Sequence, residues 1–546
     1  MLTFLHCYAD DLWEAYEKSG LLKGSFGIRF CQNVFLPEKL RFNHTAAKGT
    51  PLYEYIKKHK CPFYVDRLQG GVIMYDYAFD PALVKEYEDL LGEDFLGFQM
   101  HEWLSNYRGD VTFKLAELSK EDWTEEKIEA HIRKRYPYKN LFLESMTLSE
   151  IAAAGKPETA KEMYDNMTAI YKDRASKYKL VPADSYYMMF PFEAEMGAKL
   201  LMPEVGFQIP DTRIQMCFAR GVAHAYGIKL GAYYEPWGGK PFTACCYEDD
   251  EKNEWYLSNA AGEFPFVTGG PNGGSSRSLQ WRIYLYAYLS NCDYVCEEWG
   301  GYNTFSDRKN AVLSEYGLVK KRFIDFVEKY PDVGEKLAPI AAVLSNDLPC
   351  LTLGRDLAED VKTYLDEPLE GERLEKWTRL KYDVAKIFSN SVPMVGDETQ
   401  VLLNSDVPDA VDLLNEGDGT ALTKYDYLVN LTGDPAFEEK HPNCISPDDV
   451  TEKLDELLPC RVEGGFHVVV NKRGDDGYYL TVFNHSGVTR SVAEGEAVLP
   501  EAEKVAFIEL KDGRTLTPLE GSDKVVYKNG KYRVILSGGE WLFAKF

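Results

Sequence analysis

Two glutamates, Glu102 and Glu235, each follow a short apolar segment and stand close to a tryptophan. Trp103 follows Glu102 directly, and Trp237 follows Glu235 by two positions. An apolar segment of this length is typical of a strand buried on both faces, as in a parallel sheet. A carboxylate at the end of such a strand costs free energy unless it is paired or used in chemistry. A salt bridge to a neighbouring helix and a catalytic role are therefore the two interpretations of each glutamate.

A pair of carboxylates in one site can cleave a glycosidic bond. In retaining enzymes the two carboxyl groups lie about 5–5.5 Å apart, one acting as acid and base and the other as nucleophile. Glu102 and Glu235 are 235 − 102 = 133 residues apart, so only a fold that gathers strand ends can bring them together. The C-terminal mouth of an eight-stranded α/β barrel is such a place.

Further polar and aromatic residues lie at or just after predicted strand ends. Asp66 and Arg67 offer groups that bind sugar hydroxyls, with structural ion pairing as the alternative. A tryptophan there can stack on the apolar face of a sugar ring, although any one of them can instead fill a core. The candidate substrate-binding residues are His101, Trp103, Asp66, Arg67, Tyr234, Trp237, Glu298, Trp299 and Asn33.

The segment CEEWG at 296–300 is the main rival for the nucleophile. Adjacent residues of a strand point to opposite faces, so only one of Glu297 and Glu298 can face a pocket. If the strand count is off by one, that residue replaces Glu235; otherwise this strand end binds substrate. Glu193 and Glu195 are weaker rivals, for which salt bridges with nearby helices are the favoured interpretation.

The elements that must position these residues occupy residues 1–335. Eight strand-like segments alternate there with helical or loop segments, which predicts a (β/α)8 TIM barrel. A doubly wound open sheet is the alternative, but the chain carries no Gly-rich nucleotide-binding motif. The predicted strands are 3–8, 27–32, 62–67, 95–101, 185–192, 205–209, 228–234 and 292–296.

The pattern changes twice after the barrel. Residues 336–460 contain short apolar segments separated by helical ones, which predicts a Rossmann-like α/β domain. Residues 461–546 contain short alternating segments with Gly and Asp turns, which predicts a C-terminal antiparallel β-sandwich-like domain. The strands predicted for the middle domain are 337–345, 392–396, 401–405 and 427–431.

Charge and hydropathy exclude several classes of partner. The net charge is 62 − 87 = −25, so a phosphate backbone or an anionic membrane would be repelled, and we expect neither as a partner. No apolar run reaches the roughly 18 residues that span a bilayer. The N-terminus lacks the basic start of a secretory signal. We expect a cytoplasmic protein, with a secreted form that has lost its signal as the alternative; assembly into a homo-oligomer stays open.

The 11 cysteines are scattered and odd in number, which favours reduced, buried thiols over a disulfide framework. Neither a CxxC pair nor an HExxH motif is present, so the sequence carries no zinc motif. We therefore expect neither a metal nor an organic cofactor.

Two motifs resemble those of a known enzyme group. DFLGFQMHEW at 94–103 is similar to the strand-four motif of family 42 β-galactosidases and their relatives in glycoside hydrolase clan A, and YYEPWGG at 233–239 is similar to their nucleophile strand. The resemblance implies that Glu102 is the acid/base and Glu235 the nucleophile. It also implies the order of barrel, Rossmann-like domain and β domain. His101 replaces the family's Asn, which contacts the sugar 2-hydroxyl, so the sugar is left open.

The sequence thus predicts a retaining, β-galactosidase-like glycoside hydrolase that acts on a carbohydrate without a cofactor. A non-catalytic carbohydrate-binding protein on a decayed barrel is the alternative, and His101 is the feature that favours it. The Gly-rich loop at 238–274 is expected to form a wall of the pocket, because the loops that follow barrel strands carry specificity in barrel enzymes.

Overall fold

The computed structural model describes most of the chain. The described residues are 2–7, 12–23, 26–31, 41–66, 68, 79–102, 124, 160–184, 189–206, 212–235, 275–298, 300, 303–346, 371–388, 402–474, 477–491 and 495–546. The predictions that fall outside them concern Asn33, Arg67, Trp103, Trp237, Trp299, the loop at 238–274 and the strand at 392–396.

Eight parallel strands form a closed barrel in which neighbours along the chain are neighbours in the sheet. The strands are β1 (Leu2–Cys7), β2 (Phe26–Cys31), β3 (Phe63–Asp66), β4 (Phe95–His101), β5 (Leu180–Asp184), β6 (Leu200–Gly206), β7 (Lys229–Glu235) and β8 (Tyr294–Glu297). The pairing of β1 with β8 closes the ring. The prediction of an α/β barrel is confirmed by this sheet.

Helices alternate with the barrel strands, as a right-handed βα connection requires. They are α1 (Leu12–Ser19), α2 (Arg41–Thr45), α3 (Pro51–His59), α4 (Pro81–Leu91), α5 (Ala160–Lys177), α6 (Met189–Glu195), α7 (Thr212–Tyr226), α8 (Arg277–Leu289) and α9 (Glu315–Lys329). After β8 come a hairpin of β9 (Phe305–Asp307) and β10 (Val312–Leu313) and the short strand β11 (Glu335–Lys336).

The prediction of the fifth strand at 185–192 was wrong. Met189–Glu195 is the helix α6, and the strand lies earlier, at Leu180–Asp184. The residues of α6 from Met189 to Ala194 are all buried, and a continuous apolar run does not distinguish a buried helix from a buried strand. Pro182 makes this strand hard to predict from the sequence. Proline has no N–H to donate to a neighbouring strand, so a proline within a segment is evidence against a strand.

The sixth strand was predicted too late in the chain. It was placed at 205–209, whereas β6 runs over Leu200–Gly206 and every residue in it is buried. Pro203 and Glu204 interrupt its apolar pattern, and both are unfavourable in a buried strand on average. The predicted bounds leave out Glu204, which lies on β6.

A parallel sheet of four strands follows, in the order β13-β12-β14-β15. Its elements are β12 (Ile340–Leu344), α10 (Gly371–Phe388), β13 (Val411–Asn415), α11 (Gly419–Leu422), β14 (Tyr427–Leu431), α12 (Pro435–Lys440), β15 (Cys444–Ile445) and α13 (Val450–Leu457). The strand predicted at 401–405 was wrong for its described residues 402–405, which form neither helix nor strand. The sequence VLLN there resembles DLLN at 412–415, which is part of β13. The local pattern is therefore the same in both segments, and packing against neighbouring strands determines whether a strand forms.

The last part of the chain consists of antiparallel sheets. Its strands are β16 (Cys460–Glu463), β17 (His467–Lys472), β18 (Tyr478–Phe483), β19 (Val488–Ser491), β20 (Gly495–Val498), β21 (Lys504–Leu510), β22 (Thr517–Gly521), β23 (Val525–Lys528), β24 (Lys531–Leu536) and β25 (Trp541–Lys545). The sheets β11-β17-β18-β25-β22 and β16-β21-β24-β23 share a core that includes Val468, Leu480, Ile508 and Val534. The domain boundaries at 335/336 and 460/461 stay predictions.

Helix α7 packs on two sheets at once. Its residues Phe218 and Val222 belong to a continuous core with Leu230 of the barrel and Leu413 of the second sheet. Gly221 lies so close to the second sheet that an added Cβ would overlap the carbonyl oxygen of Leu413. The helix is therefore a shared wall of the barrel and the parallel sheet.

A buried chain of polar groups joins the barrel helices to the two C-terminal sheet systems. Arg282 of α8 contacts His485 at 2.6 Å, His485 contacts His467 at 2.9 Å, and His467 contacts Asp409 at 2.9 Å. Since Arg282 can only donate and an ionised Asp409 can only accept, each imidazole accepts on Nδ1 and donates from Nε2. Both histidines are then neutral, which agrees with the lowering of the pKa of each, chiefly by burial.

Asp409 is the end point of this chain and is fully buried. Lys336 forms an ion pair with it at 2.8 Å, and the thiol of Cys217 lies 3.3 Å away. Burial alone would raise the pKa of Asp409, but Lys336 and Arg213 outweigh it and hold that pKa well below the ordinary value.

The cysteines that the structure describes with side chains carry free thiols. They are Cys61, Cys217, Cys292, Cys296, Cys444 and Cys460. Within the described parts of the chain, none of the helices combines the length and the apolar character needed to cross a membrane.

We predict that Asp409→Asn lowers the free energy of unfolding by about 3 kcal/mol or more at neutral pH, because it leaves buried Lys336 without its counter-charge. A carboxyl group with a lowered pKa stabilises the fold above its unfolded value of about 3.9, and this contribution is lost as the pH falls. Urea unfolding at pH 7 and at pH 3.5 measures both effects.

The exposed residue Asp523 provides the matched control, because Asp523→Asn removes a carboxylate that is solvated already. An equal loss of stability in both variants would contradict the structural role of Asp409.

Candidate active site

The carboxyl ends of the barrel strands meet at one mouth, and acidic residues from several strands lie there. Glu235 is the last residue of β7 and is 6% exposed. Glu102 directly follows β4, and its side chain is 38% exposed. Its φ of 43° lies in the left-handed region, so the backbone turns away from the strand direction at this residue. Glu235 therefore lies buried at the end of a strand, whereas Glu102 lies partly solvated on a turn.

The close approach of β6 to β7 fixes the backbone at Glu235. Gly206, the last residue of β6, pairs with Glu235 across the two strands. A Cβ at position 206 would overlap the carbonyl oxygen of Glu235, so only glycine permits this approach.

Glu204 is a mouth residue that the sequence did not reveal. It lies on β6, is 1% exposed, and no described residue donates a hydrogen bond to either carboxylate oxygen. Burial raises the pKa of Glu204 well above its ordinary value, and repulsion from Glu102, Glu298, Glu235 and Asp184, in that order, adds to the shift. The one available signal was a charged residue inside the otherwise apolar run LLMPEVG.

His101, the last residue of β4, lies between two glutamates. Its Nε2 is 2.8 Å from Glu298, and its Nδ1 is 3.7 Å from Glu102. The ring also packs edge-on against Tyr233, with ring centroids 5.6 Å apart. His101 therefore connects the end of β4 to the end of β8 across the barrel interior.

Glu297 and Glu298 point to opposite faces, as alternation along a strand requires. Glu298 contacts His101 inside the mouth, whereas Glu297 lies among the surrounding helices. There Glu297 forms an ion pair with Lys320 of α9 at 2.5 Å and accepts a hydrogen bond from Gln280 of α8 at 2.5 Å. The position of Glu297 is that of a structural ion pair, so Glu298 is the member of this pair that can meet a ligand.

Arg29 of β2 lies below these groups and is fully buried. Its guanidinium pairs with Asp66 at 2.9 Å, donates to the hydroxyl of Tyr233 at 2.6 Å, and donates to the carbonyl of Glu297 at 2.8 Å. Asp66 is therefore held by an ion pair, which was one of its two predicted roles. The guanidinium and its partners form the floor of the mouth.

The side chain of Tyr234 lies outside the mouth. Its ring packs edge-on against Tyr284 of α8 with centroids 5.7 Å apart, while its neighbour Tyr233 faces the barrel interior. Alternation along β7 places Glu235 on the same face as Tyr233, so the structure corrects the prediction that Tyr234 contacts substrate.

Four mouth residues could together hold a metal ion. His101, Glu102, Glu204 and Glu298 each offer one ligand atom, and these atoms lie within 4.8 Å of one another. The sequence shows no motif for this cluster, because its residues come from β4, β6 and the end of β8. These elements are far apart along the chain.

Glu193 is a second buried carboxylate without a hydrogen-bond donor among the described residues. It lies on α6, is 1% exposed, and has a pKa raised well above the ordinary value by burial and by Asp184. The salt bridge expected for it is absent from the described residues. Glu195, the other weak rival, is exposed at the end of the same helix.

We predict that Glu193→Gln stabilises the protein at alkaline pH. A carboxyl group with a raised pKa binds its proton more tightly in the folded state, so its contribution is present at low pH and is lost as the pH rises above about 4.5. The melting temperature of the variant should exceed that of the wild type at pH 8 and approach it at pH 4. A constant difference between the two values across this range would contradict the assigned pKa shift.

Comparisons with known proteins leave the family open. No protein-family model matches the chain, and a search of curated proteins found no match. One similar solved structure is α-L-fucosidase isoenzyme 2 from Paenibacillus thiaminolyticus, with 9% identity, a TM-score of 0.45, and coverage of 100% of this chain and 99% of that chain. Another is a polyextremophilic β-galactosidase from the Antarctic haloarchaeon Halorubrum lacusprofundi, with 8% identity, a TM-score of 0.43, and the same two coverages, 100% and 99%. With TM-scores below 0.5, neither similarity assigns this chain to a family, and the resemblance to family 42 stays a prediction.

Proposed function

We propose that this protein is a retaining glycoside hydrolase in which Glu102 is the acid/base and Glu235 the nucleophile. The observation that carries the proposal is that Glu235 ends β7 and Glu102 directly follows β4 in one closed parallel barrel. The carboxyl ends of the strands of such a barrel meet at one mouth, so both glutamates lie at the same end of the barrel. Two carboxylates facing one space are what a double displacement at a sugar carbon needs.

The different environments of the two glutamates suit different roles. A nucleophile must be held rigidly at the reacting carbon, and Glu235 is 6% exposed at the end of a strand that Gly206 locks in place. An acid/base must exchange its proton with the leaving group and then with water, and Glu102 is 38% exposed on a turn.

The remaining mouth residues would bind the sugar. Glu298 and His101 present a linked carboxylate and imidazole that can accept and donate hydrogen bonds to ring hydroxyls. The predicted β-galactosidase-like activity, the family 42 relationship and the order of barrel, Rossmann-like domain and β domain belong to this proposal. The aromatic candidates Trp103, Trp237 and Trp299 remain predictions.

We predict that Glu235→Ala abolishes turnover of every glycoside, because no glycosyl–enzyme bond can form. Azide or formate can then attack from the emptied side, and the product should have inverted configuration. Glu195→Ala is the matched control: it removes an exposed glutamate outside the mouth and should leave activity unchanged. If Glu235→Ala keeps its activity and Glu298→Ala loses it, the nucleophile lies on the strand after α8 instead.

We predict that Glu102→Ala lowers kcat by about 10²- to 10⁴-fold for glycosides with poor leaving groups, because only these need protonation. Activated aryl glycosides should still form the glycosyl–enzyme, which then hydrolyses slowly without its base. Added azide should accelerate this variant and give a product of retained configuration, measured by NMR. Inverted product from this variant would exchange the two assignments.

A panel of aryl glycosides separates catalysis from binding alone. Saturable binding by the wild type without turnover of any of them would favour the non-catalytic carbohydrate-binding protein. Such a result would be compatible with the barrel fold but would contradict the proposed hydrolysis.

A further inference from the structure

Glu204 is a buried carboxyl group that receives no hydrogen bond from the described residues, and its surroundings suggest which ligand it binds. The residue is 1% exposed, and neither of its carboxylate oxygens receives a hydrogen bond from the described residues. Buried carboxylates are as a rule hydrogen-bonded, ion-paired or bound to a metal. Arg29, the buried arginine of the mouth, is already engaged by Asp66, by the Tyr233 hydroxyl and by a backbone carbonyl. The cation that would balance Glu204 is therefore not supplied by this arginine.

We propose that His101, Glu102, Glu204 and Glu298 form a binding site for one divalent transition-metal cation such as Mn²⁺. Their ligand atoms lie within 4.8 Å of one another. Two ligands on opposite sides of an ion with bonds of about 2.1 Å lie about 4.2 Å apart, so small side-chain adjustments close the site. The ligands come from three separate strand ends of a closed barrel, which gives the site a rigid frame.

The ligand types select the class of cation. Three carboxylates suit oxygen-preferring ions such as Mn²⁺, and one imidazole disfavours Mg²⁺ and Ca²⁺ relative to transition metals. The contact of 2.8 Å between His101 and Glu298 and the contact of 3.7 Å between His101 and Glu102 place the imidazole between two of the carboxylates. The shorter of these contacts holds Glu298 against the imidazole before an ion arrives.

Glu102 is the ligand that can leave. The side chains of His101 and Glu298 are 3% and 6% exposed, whereas that of Glu102 is 38% exposed. A carboxylate that binds the ion cannot at the same time accept and give a proton. If the proposed function holds, the ion therefore lowers hydrolysis by withdrawing Glu102, but the existence of the site does not depend on that function.

The experiment is a titration of the full chain, freed of metal with a chelator, with Mn²⁺ in the absence of any glycoside. Calorimetry should show one ion per chain, and Mn²⁺ should raise the melting temperature because the ion binds the folded state. Glu204→Gln should weaken binding by at least about 10-fold. The substitution preserves the shape of the side chain and replaces the carboxyl group with an uncharged amide, so the metal-free variant should fold, and its circular dichroism and melting temperature verify this.

Glu193→Gln is the matched control. Glu193 is buried to the same 1% and likewise receives no hydrogen bond from the described residues, but it lies outside the cluster. Its variant should bind Mn²⁺ as the wild type does. Equal losses in the two variants, or a wild type that binds no Mn²⁺ at millimolar concentration, would overturn the site. Binding of Ca²⁺ as tight as that of Mn²⁺ would remove His101 from the ligand set.

The proposed site and the proposed function fail separately. A protein that binds Mn²⁺ through Glu204 but turns over no glycoside retains the site and loses the hydrolase. A protein that hydrolyses glycosides through Glu102 and Glu235 but binds no Mn²⁺ retains the hydrolase and loses the site.

Discussion

Repulsion between carboxylates is the constraint around which the barrel mouth is built. Glu102, Glu204, Glu235 and Glu298 come together at the carboxyl ends of the strands, and Glu204 is buried among the other three. Among the described residues, none donates a hydrogen bond to the Glu204 carboxylate, and Arg29 is engaged by Asp66 on the floor of the mouth. A protonated glutamate, a bound cation or a ligand with hydroxyl donors each relieves this repulsion. The mouth is thus suited to a cation or to a ligand that donates hydrogen bonds.

Glu297 shows that this arrangement is specific to the interior face. It is adjacent to Glu298 in the sequence, yet it forms an ion pair with Lys320 and accepts a hydrogen bond from Gln280. At the end of β8, Glu297 therefore lies outside the barrel with Lys320 and Gln280 as partners. Glu298 lies inside the barrel, and its partner is the imidazole of His101. Two other buried carboxylates are paired in a similar way, Asp409 with Lys336 and Asp66 with Arg29.

Much of the architecture could be predicted because hydrophobic pattern and turns encode it locally. The strands at 95–101 and 427–431 were predicted with the bounds that the structure gives. The failures occurred where the local signal contradicted the final packing. They are Pro182 in β5, Pro203 and Glu204 in β6, and LLN at 402–404, which resembles part of β13 without forming a strand. Glu102 and Glu235 were identifiable because each ends an apolar run. Glu204 lies inside a run, and its link to His101 exists only through the barrel closure.

The shared position of α7 limits how the molecule can come apart. This helix covers barrel strands on one side and contacts the parallel sheet through Gly221 on the other. A boundary drawn between the two units in sequence therefore does not correspond to a boundary in space, since neither unit keeps a complete core without that helix. We therefore expect the barrel and the parallel sheet to unfold together. A hinge movement between them, of the kind that lets adjoining domains open and close over a ligand, would have to separate α7 from one of its two sheets.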